Sequence, residues 1–223
     1  MLRPLPFTVD EMLLADAVMR TPVIDFRHSI NQPTGKFFYD PWEIKDEYKG
    51  TVWEKLLDTL PYNKGEARII KLDNRTAYAS HADIDDRWHL NISGVNSFLI
   101  DIASKEMFET VRDGIWYEMN AGKLHTAVNF GNRPRYQLVV RKLLFPMEHT
   151  NWKKVKITTK IPDLEDARYE FDNQVSPLLN KLNKLRAITE FEYKEDQVTF
   201  YIAPSYLAEF KLNNDHFVIE DAY

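Results

Sequence analysis

The stretch YASHADIDDRWHLNIS, Tyr78 to Ser93, carries two histidines, three aspartates and an arginine among residues that otherwise read as strand. Unpaired charge inside a sheet is costly, so His81, Asp83, Arg87 and His89 need something to hold. A histidine and an aspartate two residues apart, closed by a distant histidine, offer two imidazoles and one acid to a single ion. Such a set fills one face of an octahedron and leaves three positions open, as in non-haem iron sites that activate dioxygen. His125 is the distant histidine, and Arg135 lies ten residues beyond it. The guanidinium of Arg135, fixed in charge and forked in shape, suits the far carboxylate of a bound keto-diacid.

Taken singly, each residue has a plainer reading. A His-x-Asp pair is a common surface contact, a lone histidine is a common hydrogen-bonded core residue, and a lone arginine is a common surface cation. Alternation is what joins them. On a strand, residues two apart share a face. His81 and Asp83 therefore point one way beside Ala77 and Ala79. Arg87, His89 and Asn91 share one face, and Trp88, Leu90 and Ile92 the other. His125, Ala127 and Asn129 oppose Leu124, Thr126, Val128 and Phe130, while Arg135, Gln137 and Val139 oppose Tyr136, Leu138 and Val140. Several neighbouring strands thus each offer a polar face, and a rolled sandwich turns those faces into one lumen.

The elements that must position these residues follow from period and punctuation. Short runs with alternation or β-branched and aromatic enrichment succeed one another from Ala67: ARIIKL, TAYASHAD, RWHLNIS, NSFLIDIA, EMFETVR, GIWYEMN, LHTAVNF and RYQLVVRKLLF. Turn signals such as SGVN, RDG and GNRP separate them, which predicts an antiparallel sandwich or jelly roll rather than a βαβ sheet. Ahead of them, TVDEMLLADAVMR reads as a helix with a Thr8–Glu11 capping box and Met12, Ala15 and Met19 at helical spacing. DFRHSINQPTGKFFYD reads as a loop, and PWEIKDEYKGTVWEKLLDTL as a second helical region interrupted near Gly50. Behind them, Ser176-Pro177 predicts an N-cap with proline at the first helical position, and Leu178, Leu179, Leu182 and Leu185 continue an apolar face. TEFEYKEDQVTFYIA reads as a hairpin, with further strand in SYLAEFKLNNDHFVIEDAY. The expected organisation is a helical region packing on the core over 1–62, a β core over 63–150, and a small α+β appendage over 151–223.

Composition narrows the chemistry. With 223 residues, 44% hydrophobic, the chain can bury a sizeable core. The absence of cysteine removes disulfides, thiolate metal sites, Fe–S clusters and cysteine nucleophiles together. A net charge of −5 argues against broad nucleic-acid affinity, and the basic run NWKKVKITTK reads as a solvated connection. No run approaches the ~20 apolar residues of a spanning helix, and the first residues lack the pattern of a signal peptide. The expected location is cytoplasmic, with no membrane or nucleic-acid partner. His28 reads as a surface residue, Trp116 as core and Tyr117 as cavity wall, and Arg68 and Arg75 are alternatives for meeting a substrate carboxylate; His149 and His216 carry no partner pattern.

The order His81-Ala-Asp83, Arg87-Trp-His89-Leu90 and HTAVNFGNRPR ending in Arg135 resembles the aspartyl/asparaginyl β-hydroxylase family, which includes free-proline 3-hydroxylases. The similarity covers roughly Thr76 to Leu144. Its more specific elements are the Arg-x-His-Leu segment and the ten-residue step from distal histidine to arginine. Presence of the acid Asp83 resembles the proline-hydroxylase branch, and the interval from His81 to Arg87 is short for the family. The resemblance implies a double-stranded β-helix (a cupin-like jelly roll) and an Fe(II)- and 2-oxoglutarate-dependent dioxygenase. His81, Asp83 and His125 would be the iron ligands, Arg135 would pair with the C5 carboxylate of 2-oxoglutarate, and Arg87 and His89 would line the cosubstrate pocket. The implied reaction consumes O2, releases succinate and CO2, and hydroxylates an amino-acid side chain, in a free amino acid or a peptide. Two other classes fit a polar lumen: a cupin-type metal-dependent isomerase or lyase, and a metal-free barrel binding a small anion. The appendage could cover the pocket, recognise a macromolecule or mediate a homodimer contact.

Overall fold

The computed structural model describes residues 1–34, 42–143, 152–194, 197–207, 210 and 215–221. The N-terminal part runs β1 (Leu2–Thr8), α1 (Glu11–Arg20), β2 (Arg27–Ser29), β3 (Asn31–Pro33), β4 (Trp42–Ile44) and α2 (Val52–Asp58). The central part follows as β5 (Lys64–Leu72), β6 (Thr76–Ala77), β7 (Arg87–Ser93), β8 (Ser97–Asp101), β9 (Met107–Glu109), β10 (Ile115–Met119), β11 (His125–Asn129) and β12 (Arg135–Lys142). The C-terminal part holds β13 (Lys153–Thr159), α3 (Leu164–Glu170), a π-helical turn (Phe171–Val175), α4 (Ser176–Lys184), β14 (Ile188–Tyr193), β15 (Gln197–Ile202), α5 (Pro204–Leu207) and β16 (Phe217–Asp221). The fold is mainly β, built from several antiparallel sheets with flanking helices.

One sheet has six strands in the order β1-β10-β7-β12-β5-β2, and a second has four in the order β6-β11-β8-β9. From β5 to β8 the chain alternates between them, and it does so again from β9 to β12. Each strand of the larger sheet is two-faced. Ala67 and Ile69 on β5, Trp88, Leu90 and Ile92 on β7, Trp116 on β10, and Leu138 and Val140 on β12 form a buried core with Leu14 and Ala17 of α1 and Trp53, Leu56 and Leu57 of α2. Burying each such side chain contributes about 1.5–3 kcal/mol, so the helical layer fixes which face of the sheet looks inward. The indole of Trp116 loses no hydrogen bond there, because its Nε1 donates to Thr59 Oγ1 at 2.8 Å. The opposite face, with Glu66, Arg68, His89, Arg135 and Gln137, lines a cavity. The alternation read from the sequence for β7, β11 and β12 is the alternation observed.

Several local expectations differ. Residues 1–62 supply strands as well as helices: β1 and β2 are the two edges of the six-stranded sheet. Thr8 does not cap α1, because β1 extends through it and the Val9 N–H donates to Gly114 O at 2.7 Å. The cap is Asp10, whose carboxylate accepts from Met12 N at 2.8 Å. That shift turns Leu14 and Ala17 inward and leaves Met12 and Met19 exposed. Of the expected second helical region, Trp42–Ile44 is strand and only Val52–Asp58 is α-helix, capped by Thr51. The expected loop before it contains β2 and β3; its residues 35–40 lie outside the described set, as do Pro41 of the second region and His149. Ser176 is not an N-cap, since the π-helical turn runs directly into α4.

The basic run NWKKVKITTK is not a solvated connection. Its Lys153–Thr159 form β13, hydrogen-bonded on both sides in a sheet of order β14-β15-β13-β16. Val155 and Ile157 point into a second core with Val175, Leu179 and Leu182 from the helices, while Lys154 and Lys156 alternate outward. Two buried aliphatics at strand spacing outweigh exposed charges that cost nothing in water. Ile84, next to Asp83, is buried in this same cluster, so the C-terminal sheet and helices are packed onto the segment that carries the candidate ligands.

Candidate metal centre

The segment carrying His81 and Asp83 is not a continuous strand, although TAYASHAD reads as one. Regular pairing stops after Ala77. His81 then forms an isolated bridge with His125: the His81 N–H donates to His125 O at 2.9 Å and the His125 N–H to His81 O at 2.8 Å. Two residues on, the Asp83 N–H donates to Ala121 O at 2.8 Å. These bonds hold the His-x-Asp segment against β11 and the turn before it, and the two imidazole centroids lie 4.5 Å apart.

The ring orientations are fixed from behind. His81 Nδ1 lies 3.0 Å from Ala79 O and His125 Nδ1 lies 2.7 Å from Lys123 O. A carbonyl only accepts, so each Nδ1 carries a proton; in a neutral ring that arrangement puts the lone pair on Nε2, the tautomer a metal needs. Those Nε2 atoms stand 4.0 and 3.9 Å from the same oxygen, Asp83 Oδ2. The three donors lie within 4.8 Å of one another, an expansion of about 1 Å or more over the ~3 Å spacing of neighbouring ligands on bonds near 2.1 Å. Asp83 Oδ1 is engaged by Arg87 Nη2 at 3.1 Å, which leaves Oδ2 as the donor. Arg87 in turn pairs with Asp85, a buried acid also held by Arg141 Nε. Arg87 lines the cavity, where the resemblance put it, and its contacts also make it a tether that orients the Asp83 carboxylate.

Charge states agree with this donor set. Burial would raise the Asp83 carboxyl, but Arg87, His81 and His125 outweigh it and hold it at about 2. Burial, reinforced by His81, pushes His125 down to about 4. At neutral pH the cluster is therefore one carboxylate and a neutral His125.

Deeper in the cavity lie two buried groups of another kind. Arg135 is 2% exposed, and its Nε and Nη1 have no hydrogen-bond partner among the described residues. Burial lowers it to about 10, so it stays cationic at neutral pH. Gly94, at φ 144°, passes so close that a Cβ would lie 2.8 Å from Arg135 Cγ; a side chain there would displace the guanidinium. His89 is 7% exposed with both ring nitrogens unpartnered, and burial, then Arg135, depress it to about 3. An uncompensated buried guanidinium costs several kcal/mol, and an anion entering the cavity would relieve that cost. The cavity, about 380 Å³, has His81, Asp83, His125, His89 and Arg135 on its wall, a size and lining that fit a small diacid with room for a second molecule.

Other expected residues fall elsewhere. Asn129 lies on the polar face of β11, yet all its polar atoms are used: Nδ2 donates to Leu72 O, Asp73 O and Arg133 O, and Oδ1 accepts from Ser97 Oγ and Gly131 N. Arg68 lines the cavity and is paired with Glu66, whereas Arg75 sits in a turn at φ 55° away from it. His28 stacks edgewise on Tyr48, and Tyr117 lies behind His89 with its hydroxyl donating to Asp113 Oδ2 at 2.6 Å. His216 stands 3.4 Å from Glu170 Oε2.

Covering the pocket is one of three roles the sequence leaves open for the C-terminal part, and the sequence singles out no residue of it for the cavity wall. Arg168 of α3 and Asp172 of the π-helical turn line the same cavity. From α4, Asn180 Nδ2 donates to Asp83 O at 3.2 Å and to Asp86 Oδ1 at 3.3 Å, and Lys184 Nζ pairs with Asp86 at 3.0 Å. The signal available was an i, i+4 Arg–Asp pair, which a sequence cannot distinguish from a solvent-exposed one.

No helix is long and apolar enough to cross a membrane among the described residues. Searches against models of known protein families and against curated proteins find no match to this chain.

Proposed function

We propose that this chain is an Fe(II)- and 2-oxoglutarate-dependent dioxygenase that hydroxylates an amino-acid side chain, free or within a peptide. The observation that carries the proposal is the convergence of His81 Nε2, Asp83 Oδ2 and His125 Nε2 on one point, in the same cavity as an unpartnered buried Arg135. The strand order supports it: β5-β12-β7-β10 in one sheet and β6-β11-β8-β9 in the other is the order expected of an eight-stranded double-stranded β-helix.

His81, Asp83 and His125 would hold the iron, and three ligands of this kind leave positions open for exchangeable groups. When bound, the iron with 2-oxoglutarate supplies oxidative decarboxylation to succinate and CO2 coupled to hydroxylation. The protein's own residues have separate tasks. Arg135 receives the far carboxylate of the diacid, and the unpaired guanidinium is what gives that carboxylate its affinity. Neutral His89 offers one N–H donor and one acceptor beside it. Arg87, held by Asp85, keeps Asp83 ionised and turned toward the histidines. The closed apolar core behind β7 and β12 excludes water from one side, so these charges act at low dielectric.

Anaerobic loading with Fe(II), followed by titration with 2-oxoglutarate and succinate assays against amino acids and peptides, tests the proposal. Wild-type protein is expected to bind both and release succinate. His125→Ala should lose iron, and Arg135→Met should keep iron while weakening 2-oxoglutarate binding about a hundredfold. Iron binding without any 2-oxoglutarate affinity would instead indicate a cupin-type enzyme of another class. Absence of metal binding would overturn the assignment.

A further inference from the structure

Asp172 is 1% exposed, lines the cavity, and has one oxygen with no partner. Its Oδ2 accepts from Arg168 Nε at 2.9 Å, while Oδ1, itself buried, has no partner among the described residues. It sits on the π-helical turn between α3 and α4, a backbone form rare in general and frequent at functional sites. It is also close enough to His81 and Asp83 for their charges to act on it. The remainder of the wall is furnished with guanidiniums, those of Arg27, Arg68, Arg87, Arg135 and Arg141. The other acids there are occupied: Glu66 by Ser29 and Arg68, and Asp83 by Arg87 and the candidate metal position. A cation entering the cavity would thus be repelled by most of the wall and accepted at Asp172.

We infer that Asp172 Oδ1 binds a protonated amine of the substrate, so that the C-terminal part selects an amine-bearing substrate and anchors its cationic end near the metal. This deepens the oxygenase proposal and rests on it. A buried carboxylate oxygen left bare costs free energy that a charged N–H donor recovers, by about 1.5–3 kcal/mol. An isosteric neutral substrate would leave it unpaired, and that penalty is the basis of discrimination. Arg168 occupies the second oxygen and competes with the amine for the carboxylate's charge.

The test uses the full chain loaded with Fe(II) and 2-oxoglutarate, and matched pairs of candidate substrates that differ only in an amine replaced by a methyl or hydroxyl group. Succinate release should favour the amine member by about tenfold or more in kcat/KM. Asp172→Asn should erase that preference while leaving 2-oxoglutarate affinity unchanged. In metal-free protein, the preferred amine should raise the thermal midpoint of wild type and not of Asp172→Asn. If Asp172→Asn fails to fold by circular dichroism, Arg168→Gln decides: with the counter-cation gone, amine binding should persist or tighten. Equal turnover of both members, a preference retained in Asp172→Asn, weaker amine binding in Arg168→Gln, or no turnover of any amine would overturn the inference. Loaded protein that binds 2-oxoglutarate normally in those cases leaves the oxygenase proposal standing; loss of 2-oxoglutarate binding in wild type removes both.

Discussion

Asn129 and Arg135 lie six residues apart, both are fully buried, and both are polar. Around Asn129 every donor and acceptor is matched, tying the end of β11 to the loop that leads into β12. Around Arg135 and His89 four nitrogens have no partner. A buried polar group with all its bonds made belongs to the architecture, because removing it strands the groups it satisfied. A buried polar group with bonds unmade is a standing cost to the folded protein, which a ligand would lift. The difference separates buried polar groups that hold the structure from buried polar groups whose cost a ligand would relieve.

Substitution tests that difference directly, and the largest effect is expected at the matched site. Asn129→Ala should destabilise the protein by about 3 kcal/mol or more, since it orphans several buried partners at once. Arg135→Met should leave metal-free stability unchanged or raise it by about 1–2 kcal/mol, because an unpaired buried cation is replaced by an apolar chain. Urea unfolding of the two variants measures both; equal destabilisation would make Arg135 structural and remove the contrast.

Acid should sharpen it next. His89 and His125 titrate at about 3 and about 4 in the folded chain against 6.5 as free side chains. Between those values the unfolded chain binds more protons, so stability of the metal-free protein falls as pH drops from about 6.5 toward 4. For His89 the loss reaches on the order of 3 kcal/mol by pH 4. Asp83, at about 2 when folded and 3.8 when free, adds a loss of the same sign below pH 4. Thermal midpoints across this range should show a slope that shrinks in His89→Leu; an unchanged slope would mean that the ring is solvated. The smallest effect is expected at Asn180→Ala, which removes the donor to Asp83 O and Asp86. It should cost about 1 kcal/mol and weaken iron binding without altering 2-oxoglutarate affinity at saturating iron.

That the residues of the site line one cavity was legible because alternation is a local property. Arg87, His89 and Asn91 must oppose Trp88, Leu90 and Ile92 in any strand, and the apolar set decides which face is core. The irregular course from Tyr78 to Asp83 was not legible, since its bonds go to His125 and Ala121, forty residues on. The strand nature of Lys153–Thr159 was obscured by lysines, whose charges stay in water while Val155 and Ile157 carry the packing.

What the sequence alone determined is the inventory: two imidazoles, one acid and one arginine in an order and phase that aim them at the same side of a sheet. The tertiary structure decided how each is employed. It made Arg87 a tether and Asn129 a latch, and it brought Asp172 and Arg168 from the C-terminal part to the cavity wall. Phase along a strand depends on bonds within a few residues, whereas hydrogen-bond partners and cavity walls come from segments far apart in the chain, and only packing chooses them.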